Sequence, residues 1–151
     1  MANPQYGQNR FDNSADNQIG EAVLVAADKT LVAADSGKII FAAAGGVDIV
    51  LPAPAAGLSY TIVQQAAYSS TANTVKCAST DGSVFFNGGY ASADSGDGNT
   101  ADNNSNDVIT FGSATLAGDW IKLVSDGNHW FVVGCFAKSS DNSNGLVFSD
   151  S

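Results

Sequence analysis

The sequence has 151 residues, of which 44% are hydrophobic and 14% are charged, and its 15 acidic side chains against 6 basic ones give a net charge of −9. Proteins that bind nucleic acid through its phosphates need clustered Lys and Arg, and anionic membrane surfaces attract the same residues. The composition therefore argues against both partners and predicts one soluble domain with no nucleic-acid or membrane contact.

The choice of acidic residue favours β structure. Glu21 is the single glutamate, and every other acidic residue is aspartate. Turns favour Asp and Asn, whereas helices favour Glu. No apolar run approaches the roughly 20 residues of a membrane span, and the polar N-terminus predicts no secretory signal. Cys77 and Cys135 are expected to be reduced and buried, with a disulfide between them left open as the alternative.

Residues 1–20 are rich in Asn, Gln, Asp and Gly and have no strand or helix period. Such a segment buries too little apolar surface to order by itself. One interpretation is a terminus that stays disordered. The other is an extended N-terminal arm that orders against a partner through its larger side chains, since Tyr and Arg are frequent in interface hot spots. The predicted contact residues are Tyr6, Arg10, Phe11 and Ile19.

From residue 21 onward the chain shows short apolar and alternating runs separated by Gly, Pro and Asp turns. We predict strands at 21–27, 30–34, 38–43, 47–51, 58–63, 74–78, 83–87 and 107–111, and two more as the arms of a hairpin over 118–135. Pro52 and Pro54 exclude a central strand at 52–57, and 88–107 is the longest stretch without a period. About nine or ten short strands at this spacing predict an all-β domain over 21–138, an antiparallel sandwich or jelly-roll-like barrel. Residues 139–151 form a C-terminal tail with a short edge strand, which pairs with this copy or a neighbouring one.

The stretch 118–135 is the strongest local signal. Asp126-Gly127 between two apolar runs predicts a β-hairpin. We expect Val124 and Trp130 to face each other across it, and earlier strands to join it.

The sequence offers little support for catalysis. The loop 91–107 carries Asp94, Asp97, Asp102 and Asp107, yet it lacks the EF-hand spacing and its closing Glu, so a solvated loop is favoured over a calcium site. His129 is expected on the surface near the turn. One histidine and two distant cysteines fall short of a zinc site or a Cys–His pair. We therefore predict that the protein is not an enzyme and that it binds no cofactor and no metal ion.

The aromatic residues have two interpretations, core packing or a sugar-stacking platform. Trp120, Trp130 and Tyr60 lie in the most apolar strands, which favours packing. Tyr68 and Tyr90, set among small polar residues, are the better candidates for exposed rings.

Three segments carry a family resemblance. They are Leu-Val-Ala-Ala-Asp-Ser-Gly-Lys at 31–38, Ile-Val-Leu-Pro-Ala-Pro-Ala-Ala-Gly-Leu-Ser-Tyr at 49–60, and the Gly-Asp-Trp to Ser-Asp-Gly-Asn-His-Trp hairpin at 118–130. Taken together, these segments resemble capsid decoration (cement) proteins of tailed bacteriophages. The resemblance implies a virion structural protein, made in the host cytoplasm. It implies a homotrimer on the outside of an icosahedral head that bridges neighbouring major capsid subunits. Similar runs occur in phage fibres, so the alternative is a receptor-binding or fibre-tip module that recognises a host-surface glycan through Tyr68, Tyr90 and the long loop.

Overall fold

A computed structural model describes residues 21–67, 71–79, 83–91, 98–100, 106–137 and 145–151. The described chain is almost entirely β, with thirteen short strands and one turn of 3₁₀ helix at Ala33–Asp35. Its two large sheets confirm the predicted all-β class and sandwich.

The strands form a six-stranded sheet, a five-stranded sheet and a small ribbon. The six-stranded sheet runs in the order β1 (Ala22–Val25), β3 (Ile39–Ala42), β5 (Ser59–Gln64), β11 (Trp120–Ser125), β12 (Trp130–Phe136) and β7 (Phe86–Asn87). The five-stranded sheet runs in the order β13 (Leu146–Ser149), β10 (Val108–Phe111), β6 (Asn73–Lys76), β4 (Asp48–Val50) and β2 (Lys29–Thr30). The ribbon pairs β8 (Gly89–Ala91) with β9 (Gly98–Thr100).

The first six strands alternate between the two sheets. Odd-numbered strands β1, β3 and β5 stack in parallel in one sheet, and even-numbered strands β2, β4 and β6 stack in parallel in the other. The chain therefore winds as a flattened coil around a core. The hairpin β11–β12 and the strands β10 and β13 then extend the two sheets by antiparallel pairing.

This winding corrects the predicted antiparallel arrangement. Five of the ten strand pairings in the described chain are parallel. The short polar segments between apolar runs looked like hairpin turns, yet they carry the chain from one sheet to the other. From β3 to β6, each strand consequently pairs with the strand two places earlier, and because the two run in the same sense the pairing is parallel.

The core lies between the two sheets and draws on both. Trp130, Tyr60 and Phe86 are among its largest fully buried side chains. The rings of Tyr60 and Trp130 are tilted with centroids 5.6 Å apart, a geometry favourable to aromatic pairs. Tyr60 also donates its hydroxyl to the Val32 carbonyl at 2.9 Å, which anchors the loop before the 3₁₀ turn.

The hairpin at 118–135 forms as predicted, but its register differs. Trp130 lies opposite Ser125 and Val124 lies opposite Phe131, so the expected Val124–Trp130 pair is wrong. The loop holds four residues, and the Asp126 carboxylate accepts the backbone N–H groups of Asn128 and His129 at 2.8 Å each. This capping loop places Trp130 one position away from the expected partner.

Three further expectations are refined. The run predicted as a strand at 30–34 becomes the end of β2 followed by the 3₁₀ turn. The predicted long loop at 88–107 contains the ribbon β8–β9. The edge strand expected in the tail is β13, which pairs with β10 of the same chain.

Candidate interaction surface

The outward side of the six-stranded sheet is unusually apolar. Successive side chains of a strand point to opposite faces, so residues paired across strands share a face. One cross-strand row on the outer side joins five apolar residues in register, one from each of five strands. The row comprises Leu24, Phe41, Val63, Trp120 and Phe136.

A second row lies beside the first and contains the lone charge of this sheet. It joins Ala22, Ile39, Thr61, Lys122 and Gly134. Lys122 is the single charged residue in the six strands of the sheet. It is exposed and forms no ion pair with any described residue.

The third row completes the surface on the side of the hairpin loop. It joins Ser59, Val124, Phe131 and Asn87. Between the second and third rows, the pairing of β11 with β12 shifts after Lys122, and the extra residue Val133 points outward. We call the three rows together with Val133 the outer face.

Trp120 shapes the middle of the outer face. A Cβ atom at Gly134 would lie 3.1 and 3.2 Å from two indole carbons of Trp120. Those contacts are tighter than ordinary van der Waals distances, so the lack of a side chain at Gly134 leaves room for the indole beside β12. The ring is half-buried, with its remaining surface open to solvent.

Several side chains of the outer face are exposed in spite of their hydrophobicity. Leu24 is 64% exposed, Val133 56% and Phe136 52%. The five-stranded sheet differs, because its outward side carries Asp48, Thr74 and Lys76. The Asp48 carboxylate accepts hydrogen bonds from the Thr74 hydroxyl and, at 2.6 Å, from the Lys76 ammonium. These bonds hold the pKa of Asp48 below its ordinary value. The outward side of the five-stranded sheet is therefore more polar than the outer face.

A surface of this kind is suited to contact with another polypeptide. Contiguous apolar surface on a monomer marks a protein-binding site more often than scattered apolar residues do. Flat aromatic side chains such as Trp120 and Phe136 also bury large area with little loss of side-chain freedom.

The four residues predicted to contact a partner, Tyr6, Arg10, Phe11 and Ile19, lie outside the described residues. Tyr68 also lies outside them, as do the side chain of Tyr90 and the acidic residues 94, 97 and 102 of the long loop.

Asp107, the remaining acid of the long loop, has a structural partner. Its side chain is 3% exposed, and its two oxygens accept the backbone N–H of Ser151 at 2.8 Å and the Ser151 hydroxyl at 2.9 Å. It therefore holds the end of the chain beside β10. Within the described ranges, no group of three or more His, Cys, Asp and Glu side chains is placed to hold a metal ion.

His129 and the cysteines also occupy packing positions. The His129 imidazole is half-buried and stacks on Phe85 with centroids 4.0 Å apart, so it has a packing role at the edge of the hairpin loop and is not fully exposed. Both cysteines are unpaired thiols, Cys77 buried and Cys135 half-buried. Burial, reinforced by the Asp107 charge, raises the pKa of Cys77 to about 12, and burial also raises the pKa of Cys135. Thiols in this state are poor nucleophiles.

The outer face was not predicted from the sequence. The signal was present, since β1 and β3 read as near-continuous apolar runs and β12 contains only apolar residues and one glycine. A near-continuous run indicates a strand covered on both sides. Trp120, for which core packing is the favoured expectation, lies instead in the outer face beside Val63 and Phe136.

No helix in the described part of the chain has the length and hydrophobicity needed to span a bilayer. No protein-family model matches the chain, and the search of curated proteins also produced no match.

Proposed function

We propose that this chain is a non-enzymatic virion structural protein that decorates the outside of a phage capsid. In that role it bridges neighbouring major capsid subunits as a homo-oligomer, with a trimer as the expected state, and it is made in the host cytoplasm before joining the virion. The proposal rests on the resemblance of three segments to capsid decoration proteins and on one structural observation. That observation is the outer face, an apolar surface on one side of the sandwich that would bind the capsid.

A protein that bridges capsid subunits needs a rigid body and a surface that binds them. A bridging protein must bind one surface without deforming, and two sheets enclosing one core resist deformation because their strands are cross-linked by backbone hydrogen bonds. Adhesion on one side leaves the outward side of the five-stranded sheet toward solvent. Many copies on a repeated lattice also gain affinity from multivalent attachment.

In this proposal the arm at 1–20 supplies further contacts, with Tyr6, Arg10, Phe11 and Ile19 as anchors. Deleting residues 1–17 should abolish co-sedimentation with purified heads, while far-UV circular dichroism shows the β domain still folded. If the truncated protein still co-sediments with heads, the arm is not required for attachment.

A matched pair of variants tests the face. Val133→Ser combined with Phe136→Ser removes two side chains that are 56% and 52% exposed. Full burial of such a side chain contributes about 1.5–3 kcal/mol, so the pair should cost attachment about 1.5–3 kcal/mol, or roughly 10- to 200-fold in affinity. Val32→Ser is the control, because Val32 is 53% exposed but lies in the loop before the 3₁₀ turn. Equal effects of the two variants would contradict a role for the face.

Electron microscopy of the parent particle decides where the protein is located. Density for this chain on the head supports the proposal. Density on the tail, together with binding of the isolated protein to a glycan array, supports the receptor-binding alternative instead.

A further inference from the structure

One edge of the six-stranded sheet is formed by β1, a strand of four residues with the sequence Ala-Val-Leu-Val. Among the described residues, β1 pairs with β3 alone. We propose that an extended segment of a partner protein adds to this edge as a further strand, a mode of recognition in which backbone hydrogen bonds supply the affinity. The inference rests on the proposed function, in which the major capsid subunit supplies the segment.

The pairing with β3 shows which backbone groups lie on this edge. The Glu21 and Val25 carbonyls accept N–H groups from β3 and from the residue after it, at 3.2 and 2.8 Å. Successive residues of a strand direct their backbone groups to opposite sides. Ala22 and Leu24 therefore direct theirs away from β3. The edge offers two donors and two acceptors to an added strand.

The other edges of the two large sheets are shorter or covered. β2 and β7 have two residues each, and β13 lies against the ribbon strand β9. Proteins protect a sheet edge with short strands, charged residues, proline, bulges or a covering segment. β1 is longer than β2 and β7, and it contains no charge, no proline and no bulge in its pairing with β3. It is therefore the edge best suited to receive a strand.

The exposed side chain of Leu24 indicates what the added strand carries. Leu24 ends the first row of the outer face and is 64% exposed, whereas its neighbour Phe41 is half-buried. An added strand places one of its own side chains beside Leu24, and an apolar residue there removes the free flank of the leucine from water. The strand would extend the outer face without covering it, so edge and face can serve the same attachment.

Charge favours a partner with basic residues over a second copy of this chain. At the start of β1, the Lys38 ammonium lies 3.3 Å from the Glu21 carboxylate and 3.5 Å from the Asp35 carboxylate, so one cation serves two anions. A Lys or Arg in the added strand complements the remaining negative charge. Two copies of the chain each carry a net charge of −9, and like net charges oppose association.

Matched variants of the full-length protein test the edge. Leu24→Pro and Leu24→Ala both remove the leucine side chain, but only Leu24→Pro removes the outward N–H. Proline is tolerated in an edge strand where its nitrogen faces solvent, so circular dichroism should show both variants folded. We expect Leu24→Pro to bind purified heads about tenfold more weakly than Leu24→Ala in co-sedimentation. Ala22→Pro against Ala22→Ser repeats the comparison at the other outward N–H.

Hydrogen exchange read by mass spectrometry separates the possible occupants of the edge. A peptide that covers β1 should gain protection of two amides when the protein binds heads. Protection of those amides already present in the isolated protein would overturn the inference. If it persists on dilution, the chain covers its own edge, and if it is lost, a second copy does.

Co-sedimentation also distinguishes this inference from the proposed function. If the unchanged protein attaches to heads and the folded proline variants attach as well as their controls, the added strand is wrong and the proposed function stands. If the unchanged protein does not attach, the proposed function is wrong, and the inference about its partner is wrong with it.

Discussion

The carboxylate of Asp107 should contribute measurably to the free energy of unfolding. Asp107 lies immediately before β10, and its carboxylate accepts two hydrogen bonds from Ser151, which holds the residues that follow β13 in place. Its own backbone N–H donates to Ser149 at 3.1 Å, and its carbonyl accepts from the Cys77 N–H at 2.8 Å. Asp107→Ala removes the side-chain contacts while leaving these backbone bonds in place.

The magnitude follows from the two lost bonds. A hydrogen bond to a charged group contributes about 1.5–3 kcal/mol, but Ser151 is exposed, so its freed donors return to water. We therefore expect Asp107→Ala to lower the free energy of unfolding by about 1.5–3 kcal/mol in total. Asp107→Asn keeps one acceptor and offers the Ser151 hydroxyl a donor, so it should cost about 1 kcal/mol.

Urea unfolding measures both effects, with a shift in midpoint at constant slope as the sign of a change in stability. Asp150→Ala is the control, since Asp150 is exposed and accepts one surface hydrogen bond from Asn106 at 3.0 Å. It should change stability by less than about 0.5 kcal/mol. If Asp107→Ala and Asp150→Ala cost the same, the Asp107–Ser151 contact does not hold the end of the chain as we argue.

Three further outcomes follow from the described contacts. Tyr60→Phe removes the hydroxyl that donates to the Val32 carbonyl and should cost about 0.5–1.5 kcal/mol in thermal or urea unfolding. The pKa of Asp48 is lower in the folded chain than its ordinary value of 3.8, mainly because Lys76 donates to it. Its contribution to stability is therefore present above 3.8 and is lost as the pH falls through the folded value, so Asp48→Asn should flatten the acid limb of a stability-against-pH curve. Cys77 is buried with a pKa of about 12, so a thiol reagent should modify it only at the rate of unfolding; rapid modification of the native protein would contradict its burial.

Local sequence patterns predicted much of the fold where they were unambiguous. In β5, every second residue is buried, and the alternation was visible in the sequence. The hairpin β11–β12 was marked by Asp126-Gly127 between apolar runs. The alternation in β5 and the turn residues of the hairpin each occupy only a few consecutive residues, so a local pattern contains the information.

The strand directions could not be predicted in the same way. Whether residues 26–28 return the chain along β1 or carry it to the opposite sheet depends on where β2 finds its partner, and that partner is β4, some twenty residues later. Composition and periodicity are the same for both outcomes.

The outer face was missed for a related reason. In β1, Leu24 and its neighbour Val25 are equally hydrophobic, yet Leu24 is 64% exposed and Val25 is 2% exposed. Nothing in a run of four apolar residues shows which side faces the core. Only the pairing with β3 reveals it, because Val25 lies beside buried Ala42 while Leu24 lies beside Phe41.

The same register that builds the core also builds the outer face, so the two cannot vary independently. Leu24, Phe41 and Val63 hold equivalent positions in three stacked strands of the coil, and Trp120 and Phe136 continue their row into the hairpin. A slip of one residue in any of these pairings would turn an outer side chain inward and a core side chain outward. The buried row of Ile40, Ile62 and Ile121 opposes such a slip, because it would expose those three side chains. The core therefore fixes the alignment of this outer apolar row, and a chain that folds with the correct register presents the row on its surface.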